Sequence, residues 1–263
     1  MIDLHTHILP GVDDGVPTME DAVAFAKVAV ADGIKTIVAT PHYRDGFYIN
    51  PREEVLAGVA ALTATLAAEG VGVEVLPGAE VHVCADLVER VKAGHAPTIA
   101  DNGRTVLFEL SMSQYPFDVA NIVYKMRLAG LQVLFAHPER IRYFQDDVRR
   151  YEEVIRLGAF GQLTSGSVQG VFGSAVEEFS EELARKGLVH VIASDAHNTR
   201  GRSPVLSRAV ERVGQWVGPD FAARMVDDIP RAFLEGRDPD LPPAPEEPRG
   251  RQRSLLSRWF SRG

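Results

Sequence analysis

Residues 1–15 read Met-Ile-Asp-Leu-His-Thr-His-Ile-Leu-Pro-Gly-Val-Asp-Asp-Gly. His5 and His7 stand two apart in an apolar run, and Asp13 and Asp14 occupy the turn that follows. Side chains on a β-strand repeat with a period of two, so Asp3, His5 and His7 are expected on one side while Ile2, Leu4 and Ile8 cover the other. Two imidazoles converging at a strand end, with carboxylates in the next turn, mark the start of a metal site. Taken alone they also fit a half-buried strand that happens to carry two histidines, and the rest of the chain decides between the two.

Moving outward, short apolar runs rich in β-branched residues recur at Ile34 to Ala39, Val73 to Leu76, Thr105 to Leu110, Leu131 to Ala136, Phe160 to Leu163 and Leu188 to Ala193, each bounded by Gly or Pro. With the opening strand they make seven candidate strands. Amphipathic stretches lie between them. Thr18 and Asp21 form a capping pair for a helix ending at Gly33, Asn50-Pro51 opens an Ala/Leu-rich helix ending at Gly70, and others close at Gly130, Gly158 and Gly187. Alternating strands and helices with near-continuous hydrophobic strands indicate a parallel sheet covered by helices, either a closed barrel or a doubly wound sheet.

Composition narrows the class. A chain of 263 residues with 45% hydrophobic content can bury a large core, and a single α/β barrel is a natural match in size. The net charge of -8 argues against a nucleic-acid-binding surface. One cysteine, Cys84, excludes an internal disulfide and fits a reducing compartment. The opening residues enter a strand without a basic or apolar leader, and no apolar run is long enough to span a bilayer, so a cytoplasmic protein is expected.

The decisive pattern is where the candidate ligands fall. His42 follows the second strand in Thr40-Pro41-His42, Glu80 follows the third in Pro77-Gly78-Ala79-Glu80, and Glu109 ends the fourth. His137 follows the fifth in Ala136-His137-Pro138-Glu139-Arg140, and Asp195 and His197 follow the last in Ala193-Ser194-Asp195-Ala196-His197. Every one lies at a carboxyl end, and in a barrel those ends meet on one face. With His5, His7 and Asp14 the set holds four carboxylates, five imidazoles and no thiolate. That donor chemistry suits several divalent ions such as Mn, Fe or Zn, and it offers too many ligands for one.

On these motifs, together with Val12-Asp13-Asp14-Gly15, Asn198 and Gly201-Arg202, the chain resembles the polymerase-and-histidinol-phosphatase superfamily. Within it the chain is most similar to the bacterial protein-tyrosine phosphatases of capsule and exopolysaccharide synthesis. Asp14 and Glu109 stand where many other members carry histidine, and Gln162-Leu163-Thr164-Ser165-Gly166-Ser167 also looks like that branch. The resemblance implies a distorted (β/α)7 TIM-like barrel with three metal ions, Mn first among the candidates. Glu80 would bridge two ions, with His5, His7 and Asp195 on one, Glu109 and His137 on the second, and Asp14, His42 and His197 on the third. It also implies a phosphotyrosyl protein as substrate, a membrane tyrosine autokinase of polysaccharide export in particular.

The chemistry agrees. A phosphate monoester carries two negative charges, so its hydrolysis requires charge neutralisation and a supply of hydroxide at neutral pH. Clustered divalent metals lower the pKa of bound water towards ~7 and clamp phosphoryl oxygens. Arg140 and Arg202, each just beyond a ligand motif, are the candidates for the remaining charge. Asp3 and Asp13 are candidates for orienting imidazoles, with helix capping as the alternative for Asp13. No general acid is nominated.

Cys84 and Arg90 fit a Cys-x5-Arg spacing, but the stretch has no glycine to cradle phosphate and carries Asp86 and Glu89, so thiolate catalysis is rejected. His190 is read as a core position, and His82 and His95 lack a constellation. Tyr43, Tyr115, Tyr143 and Phe144 are expected in loops above the barrel, either stacking on a substrate ring or packing the rim.

The barrel is expected over residues 1–237. Residues 238–263 form a Pro/acidic linker and a basic amphipathic segment with five arginines from Arg249 onward, suited to an anionic membrane surface or a partner. A small-molecule phosphatase of histidinol-phosphate type and a regulatory metal-binding module without turnover are the competing readings. The oligomeric state stays open.

Overall fold

The computed structural model describes residues 1–112 and 118–242. All seven expected strands form: β1 (Ile2–Thr6), β2 (Thr36–Ala39), β4 (Glu74–Pro77), β6 (Thr105–Glu109), β7 (Gln132–Ala136), β8 (Phe160–Thr164) and β9 (Val191–Ala193). Two short strands join them, β3 (His42–Tyr43) and β5 (Glu80–His82). They prolong β2 and β4 beyond Pro41 and beyond Pro77-Gly78, where an imino acid without an N–H interrupts the ladder. The strands assemble into two all-parallel sheets, ordered β1-β2-β4 and β3-β5-β6-β7-β8-β9.

The two sheets meet at both flanks. The Asp195 N–H donates to the His5 carbonyl at 2.9 Å and the His7 N–H to that of Ala196 at 2.9 Å, while the Glu80 N–H donates to Pro41 at 3.1 Å. One apolar cluster, with Ile2, Leu4, Val38, Leu107, Leu134 and Val191, is closed by Ile229 and Phe233 of the helix Asp228–Leu234. A larger one lies under the remaining helices, with Phe25, Phe108, Phe135 and Tyr151 fully buried.

Local signals account for the helix ends. In the helix Met19–Ala31 the Thr18 hydroxyl accepts the Asp21 N–H at 3.2 Å and donates to the Asp21 carboxylate at 2.7 Å. Its other end turns at Gly33, where φ is +89°. The second helix, Arg52–Ala68, differs from expectation: Pro51 occupies the cap position, and Asn50 is used elsewhere. The Asn50 amide donates to the carbonyls of His42 at 2.8 Å and Val12 at 3.3 Å, tying together two loops that carry site residues.

The linker leaves the fold gradually. Asp238 accepts from Gln132 at 2.7 Å, and Leu241 packs on the smaller apolar cluster. Residues 243–263, which hold the basic segment, lie outside the described residues, as does Tyr115. Among the described residues no helix is long and apolar enough to cross a membrane.

His190 sits in the core as expected, its Nδ1 accepting the Gly161 N–H at 3.1 Å and its ring packed edge-on to Phe160. Burial lowers its pKa from 6.5 to about 4. As the pH falls below about 6.5 the unfolded chain therefore binds a proton here while the native chain does not, so native stability falls as the pH drops towards 4. Between neutrality and pH 4 the loss from this group is about 3 kcal/mol. Urea unfolding of wild type and His190→Asn at both pH values should show a smaller acid loss in the variant; equal losses would remove the assignment.

Candidate active site and metal centre

All nine predicted ligands converge at the carboxyl ends of the strands. The centre is Glu80, 1% exposed at the start of β5. Its Oε1 lies 2.8 Å from His137 Nε2, and its Oε2 lies 3.0 Å from His42 Nδ1, 3.3 Å from His5 Nε2 and 3.5 Å from His7 Nε2. Asp195 Oδ1 stands 3.5 Å from His5 Nε2 and 3.4 Å from His7 Nε2. Asp14 Oδ1 lies 3.4 Å from both His42 Nε2 and His197 Nε2. Glu109 Oε2 is 3.8 Å from His42 Nδ1.

Specific backbone devices put these groups in place. His5 and His7 face one another, their Nε2 atoms 3.3 Å apart, but Asp3 does not join them. The β1–β2 register slips between Asp3 and Thr6, and the Asp3 carboxylate turns instead to accept the N–H of Ser194 at 2.9 Å, pinning β1 to the end of β9. Past the slip, the Thr40 hydroxyl accepts the Thr6 N–H at 3.0 Å and the Thr6 hydroxyl donates to the Val38 carbonyl at 2.9 Å. Asp13 orients His7 rather than capping a helix: its carboxylate meets His7 Nδ1 at 2.7 Å and accepts the N–H groups of Gly15 at 2.9 Å and His42 at 3.1 Å. A Cβ at Gly15 would fall 2.2 Å from the His7 carbonyl oxygen, so the turn closes against β1 only with glycine there.

His137 and Asp195 adopt left-handed backbone, with φ of +37° and +50°. Each such conformation costs a non-glycine residue about 1–3 kcal/mol. It turns the two side chains back over the strands they follow.

The electrostatics describe a site built for cations. Burial alone would push the Glu80 carboxyl up, but His5, His137 and His42 hold it well below the usual carboxylate range. Burial opposes protonation of His42 as well, yet Asp14 and Glu80 raise it to about 10. His7 is raised in the same manner by Asp13, Asp195 and Glu80 against the effect of burial. Glu109, pushed up to about 8 by burial and by the charge of Glu80, has a buried Oε2 without a hydrogen-bond partner; so has His137 at Nδ1. Carboxylates crowded this closely need positive charge between them. Protons on the imidazoles supply it in part, and divalent ions displace such protons on binding. Three groups of donor atoms lie close enough together to hold an ion: His7, Asp14, His42 and His197; His5, His7 and Glu80; His42, Glu80 and Glu109. The set fits divalent cations.

Both predicted arginines reach the centre. Arg140 Nη1 and Arg202 Nη2 converge on Asp195 Oδ2 at 2.5 and 2.7 Å. Arg140 rests over the Phe172 ring at 4.3 Å, and the buried Nε of Arg202 has no partner among the described residues. Cys84, by contrast, is pushed up to about 11 by burial, and Arg90 is engaged by Asp45 at 2.6 Å and Asp86 at 2.9 Å, which leaves no phosphate cradle.

A family model for capsular polysaccharide synthesis, CpsB/CapC, matches residues 1–235. The chain belongs to the CpsB/CapC family. The tyrosine-protein phosphatase YwqE of Bacillus subtilis is 34% identical over 203 residues, 77% of this chain and 80% of that protein. The tyrosine-protein phosphatase CpsB of Streptococcus pneumoniae is 28% identical over 239 residues, 89% of this chain and 98% of that protein. A crystal structure from work on YwqE and CpsB, described as unique metal-dependent tyrosine phosphatases, superposes with a TM-score of 0.88 at 31% identity, covering 94% of this chain and 100% of that one. The phosphotriesterase of Mycobacterium tuberculosis, at 14% identity and a TM-score of 0.51 over 84% of this chain and 86% of its own, shares the fold.

The aromatic expectations divide. Tyr43 and Phe144 are core residues, and Tyr143 lies under Arg150, whose guanidinium sits 3.8 Å above its ring. Among the described residues it is Tyr48 whose ring stacks on a candidate ligand, His42, at 5.7 Å, and the sequence did not single it out. Gln162 was missed in the same sense. It lies inside a quoted segment, but only the structure shows its Oε1 2.8 Å from His5 Nδ1, where it fixes the ring that presents Nε2 to the centre. Gln162→Leu should weaken metal binding about 10- to 100-fold in folded protein, measured by chelator competition and elemental analysis. Unchanged affinity would show that His5 is held by packing alone.

Proposed function

We propose that this protein is a metal-dependent protein-tyrosine phosphatase, a phosphoric monoester hydrolase that does not use cysteine. The observation that carries the reading is the convergence of nine ligand-type side chains and two arginines at the carboxyl ends of the strands, around the buried Glu80, in a chain of the CpsB/CapC family. The names of the relatives support phosphotyrosyl protein as the substrate class. A membrane tyrosine autokinase of polysaccharide export belongs to the same reading.

The fold belonging to this reading is a distorted (β/α)7 barrel of seven strand lines. It is supported by β3 and β5 following directly on β2 and β4 in the chain, and by the isolated parallel bridge between Thr6 and Ala196 at the ends of β1 and β9. In this reading Glu80 would be shared by two of three divalent ions, Mn first among the candidates; His5, His7 and Asp195 would hold the first, Glu109 and His137 the second, and Asp14, His42 and His197 the third.

Bound divalent ions supply charge neutralisation and an activated water. The chain's own residues do the rest. Asp13 and Gln162 fix the imidazoles that meet the ions. Arg140 and Arg202 bring guanidinium N–H groups to one place at the mouth, where phosphoryl oxygens can accept from both, and the unpartnered Nε of Arg202 is one such donor. Tyr48, Met112 and Phe172 border that mouth and offer apolar surface to an aromatic ring. A phenolate leaving group, with a pKa of about 10, departs with little help from a general acid.

Metal-stripped protein should release phosphate from a phosphotyrosine peptide only after Mn²⁺ is restored, far faster than from histidinol phosphate, and Cys84→Ser should behave as wild type in both assays. Turnover confined to histidinol phosphate would retain the metal centre and remove the substrate class. Metal bound without turnover of either would favour a regulatory module.

The segment from Arg249 onward is proposed, from its sequence alone, to contact an anionic membrane surface. Deleting residues 249–263 should abolish binding to phosphatidylserine vesicles; equal binding by the truncated chain would end that proposal.

A further inference from the structure

Beside the metal centre, and continuous with it through Arg202 and Ser194, lies a cavity of about 590 Å³. That volume falls within the range of ligand pockets, about 300–1,000 Å³. It opens between the segment after β8, the segment after β9 and the C-terminal end of the helix Met19–Ala31. One wall is apolar, made by Phe172 and by Val171, which is 53% exposed.

Another part of the lining is basic. Arg200 and Arg208 line it, both exposed, and among the described residues neither makes an ion pair. The one carboxylate in the lining is Asp32, and it is already engaged. It accepts the N–H groups of Leu206 at 2.6 Å and Ser207 at 3.0 Å and the Ser207 hydroxyl, holding the start of the helix Ser207–Val217. Arg202, already paired with Asp195 at 2.7 Å, also lines the cavity, so the charge left without an ion pair among the described residues is that of Arg200 and Arg208, beside the reaction centre of a chain whose net charge is -8. Such charge on an acidic protein, one step from a phosphate-binding mouth, is what an anionic part of the same substrate would recognise.

We propose that this cavity is a specificity subsite for an anionic side chain of the substrate peptide beside the phosphotyrosine. Arg200 and Arg208 take the charge, while Val171 and Phe172 cover the peptide's apolar atoms. The proposal rests on the phosphotyrosyl-protein reading and deepens it. The anion can be a carboxylate or a second phosphate, since both accept from guanidinium.

The test uses the full chain loaded with Mn²⁺ and phosphotyrosine peptides of equal length. One set carries Asp or Glu at successive positions on either side, a second carries Asn or Gln there, and a third carries a second phosphotyrosine. The readout is the ratio of kcat/KM for an anionic peptide over its neutral counterpart, taken within each protein so that differences in folding or metal content cancel. Wild type should prefer an anionic peptide about five- to tenfold, mainly through KM, and less so at high salt. In Arg200→Ala/Arg208→Ala the ratio should fall to about one, and Arg208→Glu should reverse it. A preference shared by the Asp and Glu peptides assigns the subsite to carboxylates, and one confined to the doubly phosphorylated peptide assigns it to phosphate. Equal kcat/KM for all peptides in wild type, or a preference that survives in the double variant, overturns the proposal. Hydrolysis of a simple aryl phosphate with no peptide turned over removes the protein-phosphatase reading and the subsite with it.

Discussion

The Glu80 carboxylate, buried at the start of β5, meets four imidazoles that come from three other strand ends. A charged carboxylate in that position is tolerated only while positive charge surrounds it, because taking an uncompensated ion out of water costs several kcal/mol or more. His5, His7, His42 and His137 are therefore the condition under which the start of β5 can be buried with its carboxylate charged. Parallel pairing brings the carboxyl ends to one side, and there the strand lines of β1, β2, β4, β6, β7 and β9 each bring a negative or a positive partner, while β8 brings the neutral Gln162.

Holding those partners in register falls to groups that never touch the centre. Asp3 ties the start of β1 to Ser194, Thr6 and Thr40 stitch β1 to β2 across the slipped register, and Asn50 joins the loops of Val12 and His42. These are hydrogen bonds in buried surroundings, where an unmade bond costs about 1–3 kcal/mol. A change in any of them moves two loops at once, so their effect on the site exceeds their distance from it.

Much of this was legible in the sequence because its signals are local. The seven strands, the Thr18 cap and the closing glycines follow from period, propensity and backbone conformation, each confined to a few residues. The convergence of the nine candidate residues was legible for a related reason: each lies at or beyond the carboxyl end of a strand line, and parallel neighbours share an end. Gln162 was not, because a glutamine in a strand gives no sign of which imidazole it will meet 157 residues away. Asp3 misled the period-two reading because the register slip after it is a tertiary feature, set by the pairing of Thr6 with Thr40 and by the hold of Ser194. Tyr43 and Phe144 were assigned to the rim from loop position alone, whereas the larger apolar cluster claims both.

The strained backbone at His137 and Asp195 bears on how the centre is assembled. Two residues in left-handed conformation store roughly 2–6 kcal/mol together, which the chain retains only because other contacts fix them. His137 is held by Glu80 at 2.8 Å. Asp195 is held by two guanidiniums and by its own N–H on the His5 carbonyl. These contacts are made by the protein itself, and the smaller apolar cluster, which takes in Ala136, the residue before His137, and Ala193, is closed by Ile229 and Phe233. Contacts made by Glu80, Arg140, Arg202 and the His5 carbonyl thus offset the strain at both residues. The strained turns and the charge pairing around Glu80 depend on one another, since loosening either frees the other.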